Sequence, residues 1–142
     1  MDELAIAKRC GNTMYESDPA LRILDISVKV TGVGEAEARL EVRPEMLNGF
    51  DVCHGGYLFT LADTAFAYAC NTHNKVTVAA GASIEFLQAA NVGDQLVATA
   101  TERRRGKTTG VYDVVVCNQK GEEVAVFRGR SHSTRHVHLP DL

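Results

Sequence analysis

Asp63 is the side chain whose placement most needs a reason. Between Asp51 and Lys75 it is the only formally charged residue, set in "HGGYLFTLADTAFAYAC" (residues 54 to 70) among Leu61, Ala62, Thr64, Ala65 and Phe66. An ionised carboxylate in apolar surroundings is costly unless it is paired or hydrogen-bonded. Two readings are open: Asp63 caps a break in a helix or reaches solvent, or its perturbed acidity serves a reaction as base or nucleophile. Phe59, Phe66 and Ala67 lie at i−4, i+3 and i+4, so the face it shares on a helix is apolar. That favours chemistry.

A second feature opens the same segment. In "CHGG" neither Gly55 nor Gly56 has a Cβ to hold a ligand away from the first backbone N–H groups, and a helix N-terminus carries partial positive charge. Such an end can hold an oxyanion, or the glycines can simply make a tight loop-to-helix turn. Spacing decides how it could work with Asp63. Eight residues separate Gly55 from Asp63, about 12 Å along one helix, too far for both to touch one carbonyl group. Two copies of the helix, antiparallel across a two-fold axis, would bring the Asp63 of one chain beside the Gly55 end of the other. An obligate dimer with two sites per interface follows.

The elements that position these residues can be read from periodicity. Residues 55 to 72 form one helix, apolar on nearly every face, and such a helix is normally enclosed. Residues 2 to 16 read as a weakly amphipathic helix, a cap or lid that stops at the break around Pro19. In "ILDISVKVT" the apolar Leu24, Ile26, Val28 and Val30 alternate with polar residues, and "GVGEAEARLEVR" repeats the pattern with Ala36, Ala38, Leu40 and Val42, the two joined by a short hairpin. Four further strands are expected near 76 to 87, 94 to 104, 108 to 118 and 122 to 133, separated by the turns "NVGD", "RGK" and "NQKG". The fold class is α+β: one long central helix wrapped by an antiparallel sheet of about six strands. The whole chain, 1 to 142, reads as a single domain, with residues 134 to 142 as a flexible tail.

Composition excludes several functions. The chain has 142 residues, 23% charged and 45% apolar, with a net charge of −3, so there is no basic footprint for nucleic acid. Cys10, Cys53, Cys70 and Cys117 contain no C-x-x-C pair, and the N-terminus lacks a long apolar run. A cytoplasmic protein with reduced thiols, no metal and no membrane span is the expectation.

The string N-G-x-x-x-x-H-G-G-x-x-F-x-L-A-D-x-A-F-A-Y-A-C-N, Asn48 to Asn71, closely resembles the central motif of the hotdog-fold acyl-CoA thioesterases, specifically the PaaI type of phenylacetate degradation. The resemblance continues through "SIEFLQAA" and "GKTTGVYDVVVCNQKGEEVAVFRGRSH", covering about residues 20 to 133. It implies a hotdog fold, dimers that pair into tetramers, and hydrolysis of coenzyme A thioesters such as phenylacetyl-CoA and its ring-hydroxylated relatives. Coenzyme A is then part of the substrate, and no cofactor is implied. Carried over, Asp63 falls on the catalytic carboxylate, Gly55 on the N–H that polarises the thioester carbonyl, His54 on the residue before it, and Asn48 on a polar side chain beside the reacting centre. Some eukaryotic relatives carry a serine on the strand after the helix, where Ala79 stands here; Thr77 and Ser83 are the nearby hydroxyls.

Other residues extend the candidate site. Gly56, Tyr57, Phe59 and Phe66 could line an acyl tunnel or simply pack in the core. The basic pool for the CoA phosphates is Arg103, Arg104, Arg105, Lys107, Arg128 and Arg130, which solvated strand ends would also explain. His132, His136 and His138 near the C-terminus could hold adventitious metal or belong to a frayed tail. Two other functions fit the same chain: a hydroxyacyl thioester dehydratase, with His54 and Asp63 as its base and acid, and a non-catalytic CoA-thioester binding protein.

Overall fold

The computed structural model describes residues 1–142. Helix α1 (Glu3–Glu16) starts at Asp2, whose carboxylate accepts the Ala5 N–H at 2.8 Å. A second helix, α2 (Pro19–Leu24), follows at once, with Pro19 preset for the first helical position and Asp25 in the left-handed conformation (φ 55°) ending it. The strand expected from about residue 23 therefore starts later, as β1 (Ser27–Gly32). The alternation of Leu24 with Ile26 looked like strand because a helix of six residues is too short to display its own period, and a proline that seemed to stop one helix begins another.

Beyond β1 come β2 (Glu35–Glu41), a 3₁₀ turn (Pro44–Met46), the central helix α3 (Gly55–Cys70), and then β3 (Thr77–Phe86), β4 (Gln95–Arg105), β5 (Thr109–Cys117) and β6 (Glu123–Ser133). All strand pairs are antiparallel, in the order β1-β2-β4-β5-β6-β3. The sheet packs on α3 mainly through β2, β4 and β5. Small residues make that approach close. Ala36 stands opposite Ala100 and Ala38 opposite Ala98 across the β2–β4 ladder, all buried, while Ala62, Ala65 and Ala69 are buried on the helix. One core cluster of 26 residues joins helix and sheet.

The last nine residues are tied down rather than loose. The Asn74 side chain accepts the His138 and Leu139 N–H groups, His138 Nε2 bonds Asn71 Oδ1 at 2.7 Å, and Leu139 is buried. Nor do the three C-terminal histidines gather: His132 and His136 are exposed, His138 turns inward, and no group of three or more metal-binding side chains exists anywhere in the chain. No helix is long and apolar enough to cross a membrane.

Candidate active site along the central helix

Asp63 lies in the middle of α3, on a stripe with Gly56, Phe59, Thr60 and Ala67 that the chain's own sheet leaves partly uncovered. Its carboxylate has no hydrogen-bond or ion-pair partner, and burial pushes its pKa above the ordinary aspartate value. The nearby hydroxyls are already committed. Thr60 donates to Gly56 O at 3.0 Å and Thr64 to Thr60 O at 2.7 Å.

At the helix start His54 is the N-cap: its Nδ1 accepts the Gly56 N–H at 2.9 Å, while its own N–H is anchored on Met46 O at 2.8 Å. An accepting Nδ1 places the proton of the neutral ring on Nε2, so neither ring nitrogen offers a free lone pair. His54 is a positioning cap here, poorly placed to act as a base. With Gly56 N–H taken by His54 and Tyr57 N–H donated to His54 O (3.0 Å), the Gly55 N–H is left without an acceptor. It is a spare donor at the positive end of a 16-residue helix.

Asn48 meets Gly55 in one pocket of about 350 Å³, which Leu58, Phe86 and Ala89 also line. The Asn48 carbonyl holds its loop by accepting the Phe50 N–H (2.9 Å) and Val52 N–H (3.4 Å), and the Leu47–Cys53 bridge closes that loop. Its amide NH₂ makes no bond within the chain and remains a second available donor. Phe86 is the residue that sequence reasoning missed. Its ring lies so close to Gly55 that a Cβ there would stand 2.9 Å from the ring carbon Cζ, so a side chain at position 55 would push the half-exposed ring aside. No local pattern could have announced a contact between positions 55 and 86.

The remaining candidates divide. Phe66 is fully buried against Gly129, Tyr112 and Phe127, which makes it core rather than lining. Phe59 is half-buried and packs edge-on against Phe127 (5.4 Å), and Tyr57 stands edge-on to His54 (6.3 Å). Arg128 is clamped by Asp113 through two bonds of 2.6 and 3.0 Å, and Arg103 meets the same carboxylate at 3.2 Å. The Arg128 bond, then its charge, holds the Asp113 pKa below the ordinary range. Arg130 reaches only the Ala80 carbonyl (3.3 Å); Arg104, Arg105 and Lys107 are exposed without ion-pair partners. Thr77 is buried and donates to Lys75 O, whereas Ala79 and Ser83 are exposed on β3.

Comparison with known proteins places the chain in a family. Residues 50–125 match the model of the thioesterase superfamily. The chain belongs to that superfamily. It is 48% identical over 122 residues to the acyl-coenzyme A thioesterase PaaI of Escherichia coli K12, an alignment covering 86% of this chain and 87% of the relative. Among solved structures, the E. coli PaaI protein of the phenylacetic acid degradation operon superposes with a TM-score of 0.93 at 43% identity, covering 96% of this chain and 99% of that one. A variant of the phenylacetic acid degradation protein PaaI from Thermus thermophilus gives 0.79 at 33% identity, covering 82% and 100%. The helix wrapped by six antiparallel strands is thus the hotdog fold, and this thioesterase is an enzyme.

Proposed function

We propose that this thioesterase hydrolyses aryl-acyl-CoA thioesters, phenylacetyl-CoA and its ring-hydroxylated relatives, to free acid and coenzyme A, and that it does so in the cytoplasm as a homodimer that pairs into a tetramer. One observation carries the catalytic part: a partnerless carboxylate at Asp63 and a partnerless N–H at Gly55 sit eight residues apart on one unbroken helix. At about 12 Å they cannot serve one carbonyl, whereas antiparallel copies of α3 would bring each Asp63 to the other chain's Gly55. Strand β3 supports that pairing. It is a ten-residue edge strand, with Val78 and Phe86 about half exposed (50% and 54%), of the kind that proteins cover rather than leave open.

In the proposed reaction the thioester oxygen accepts the Gly55 N–H, with the Asn48 amide as second donor. Asp63 either removes a proton from the attacking water or attacks the carbonyl carbon itself, with water then hydrolysing the anhydride. The C–S bond breaks, thiolate leaves readily without a strong acid, and the proton taken from water accounts for the free thiol of CoA. No cofactor is invoked. The relatives named for phenylacetic acid degradation support the aryl substrate, and among the basic residues the free Arg105 and Lys107 are better available to CoA phosphates than the clamped Arg128. The test is release of free thiol, followed with a thiol-reactive dye, from phenylacetyl-CoA, hydroxyphenylacetyl-CoA and straight-chain acyl-CoAs. Faster release from the aryl esters is expected; no release from any ester would overturn the reading.

A further inference from the structure

Of the five phenylalanines, three are packed against other aromatic rings: Phe59 and Phe66 on Phe127, and Phe66 also on Tyr112. Phe86 is not. It lies outside the core cluster and outside the residues packed on that cluster, joins no aromatic pair, and remains half exposed. Ile84, two residues earlier on the same face of β3, packs against the core. The strand thus carries its apolar face past the core, and the last side chain on it comes to rest at the start of α3.

Phe86 meets Gly55 tip-first. A Cβ on Gly55 would stand 2.9, 3.1 and 3.4 Å from the ring carbons Cζ, Cε1 and Cε2, the three atoms farthest from the Phe86 backbone, so the ring touches the helix start with its edge and leaves face area open. Its place is fixed from two sides. The Leu87 N–H donates to Val124 O at 2.8 Å, tying the end of β3 to β6, and the Cys53 N–H donates to Ala90 O at 2.8 Å, tying the Asn48 loop to the segment after β3. The ring therefore shares one pocket with both spare donors, the Gly55 N–H and the Asn48 amide.

We infer that Phe86 selects the acyl group, its ring packing against the aryl ring of the thioester. The inference rests on the hydrolysis of aryl-acyl-CoA thioesters proposed above. A thioester oxygen that accepts the Gly55 N–H sits about 2.9 Å from that nitrogen, and in a phenylacetyl group a single methylene separates the carbonyl carbon from the ring. The acyl ring can then lie at the roughly 4.5–7 Å between centroids where aromatic pairs attract beyond what burial alone gives. A saturated ring of similar size buries comparable apolar area but has no π-system to pair with Phe86. Leu58 and Ala89, which also line the pocket, offer only non-directional apolar contact and do not tell the two rings apart.

The test compares kcat/KM for phenylacetyl-CoA and cyclohexylacetyl-CoA, followed as thiol release, in the wild type, Phe86→Leu and Phe86→Tyr. The wild type is expected to favour the phenyl ester about two- to tenfold, the value of one aromatic pair; Phe86→Leu should bring the ratio close to unity and Phe86→Tyr should restore it. Size-exclusion elution of Phe86→Leu is recorded alongside. Three results overturn the inference alone: a phenyl-to-cyclohexyl ratio close to unity in the wild type, which needs no variant to fold; a ratio in Phe86→Leu equal to that of the wild type; or a Phe86→Leu protein that elutes as a smaller species, since the ring then belongs to the contact between copies. Absence of thiol release from these esters and from the straight-chain ones alike overturns the aryl-CoA reading and the inference together.

Discussion

The two ends of α3 make an instructive contrast. At its C-terminal end every polar group is spoken for. Asn71 alone donates to Ala67 O (2.8 Å) and Thr77 O (3.0 Å) and accepts from Thr77 N–H (2.9 Å) and His138 Nε2 (2.7 Å). Thr72 accepts the Gly34 N–H, and Glu102 takes both His73 and the Tyr112 hydroxyl at 2.8 Å each. At the N-terminal end the Gly55 N–H and the Asn48 amide are spare, and two turns further along Asp63 is unpaired. Satisfied buried groups hold a fold together; unsatisfied ones near a pocket are free to bind something that arrives later. One helix thus carries a satisfied end and an end with free hydrogen-bonding groups.

The largest way to break that contrast is Asp63→Asn. Hydrolysis should fall by about 10²–10⁴-fold, measured as thiol release, with the circular dichroism spectrum unchanged. The wild-type rate should rise with pH through an apparent pKa above the ordinary aspartate value, because the ionised form acts, and this limb should vanish in the variant. Stability moves the opposite way. A carboxyl whose pKa is raised by folding stabilises the protein below its unfolded value and loses that contribution as pH rises, so Asp63→Asn should melt no lower than wild type at neutral pH.

Next in size is Gly55→Pro, which deletes the spare N–H and should lower the rate about 10²–10³-fold. Gly55→Ala keeps the N–H and adds only the contact with Phe86, so its smaller loss would separate donor from crowding. At the other end, Asn71→Ala should cost about 3 kcal/mol in denaturant unfolding by stranding the Thr77 backbone groups, with turnover per folded molecule unchanged. A large turnover defect there would erase the distinction between the ends. Asn48→Ala should reduce turnover by about tenfold, the value of one neutral donor. Smallest is the acid sensitivity of the docked C-terminus. Burial lowers the His138 pKa, so the unfolded chain takes up the proton first and stability should decline as pH falls below about 6.5, a slope that His138→Gln should flatten.

Much of this was legible in one dimension. The helix over residues 55 to 70 announces itself by its unbroken apolarity, and Asp63 by being the one charge in it. The strands follow from strict alternation, as Ala36, Ala38 and Leu40 on β2 show, since each alternate residue is buried. Helix α2 escaped because six residues cannot establish a period, and Leu24 fitted a strand pattern equally well. The C-terminal segment read as loose because its anchors, Asn71 and Asn74, lie more than sixty residues earlier.

The sequence by itself therefore determined the α+β class, the order of the six strands about the central helix, and the presence of an isolated carboxylate eight residues beyond a glycine-opened helix start, because these depend on periodicity and on the fixed rise of a helix. Only the tertiary structure decided that His54 spends its lone pair on Gly56, that Phe86 roofs Gly55, that Phe66 belongs to the core and that Arg128 is bound to Asp113. Those are contacts between distant positions or choices among hydrogen-bond partners. They depend on which side chains the sheet brings within a few ångströms, and no local pattern encodes that.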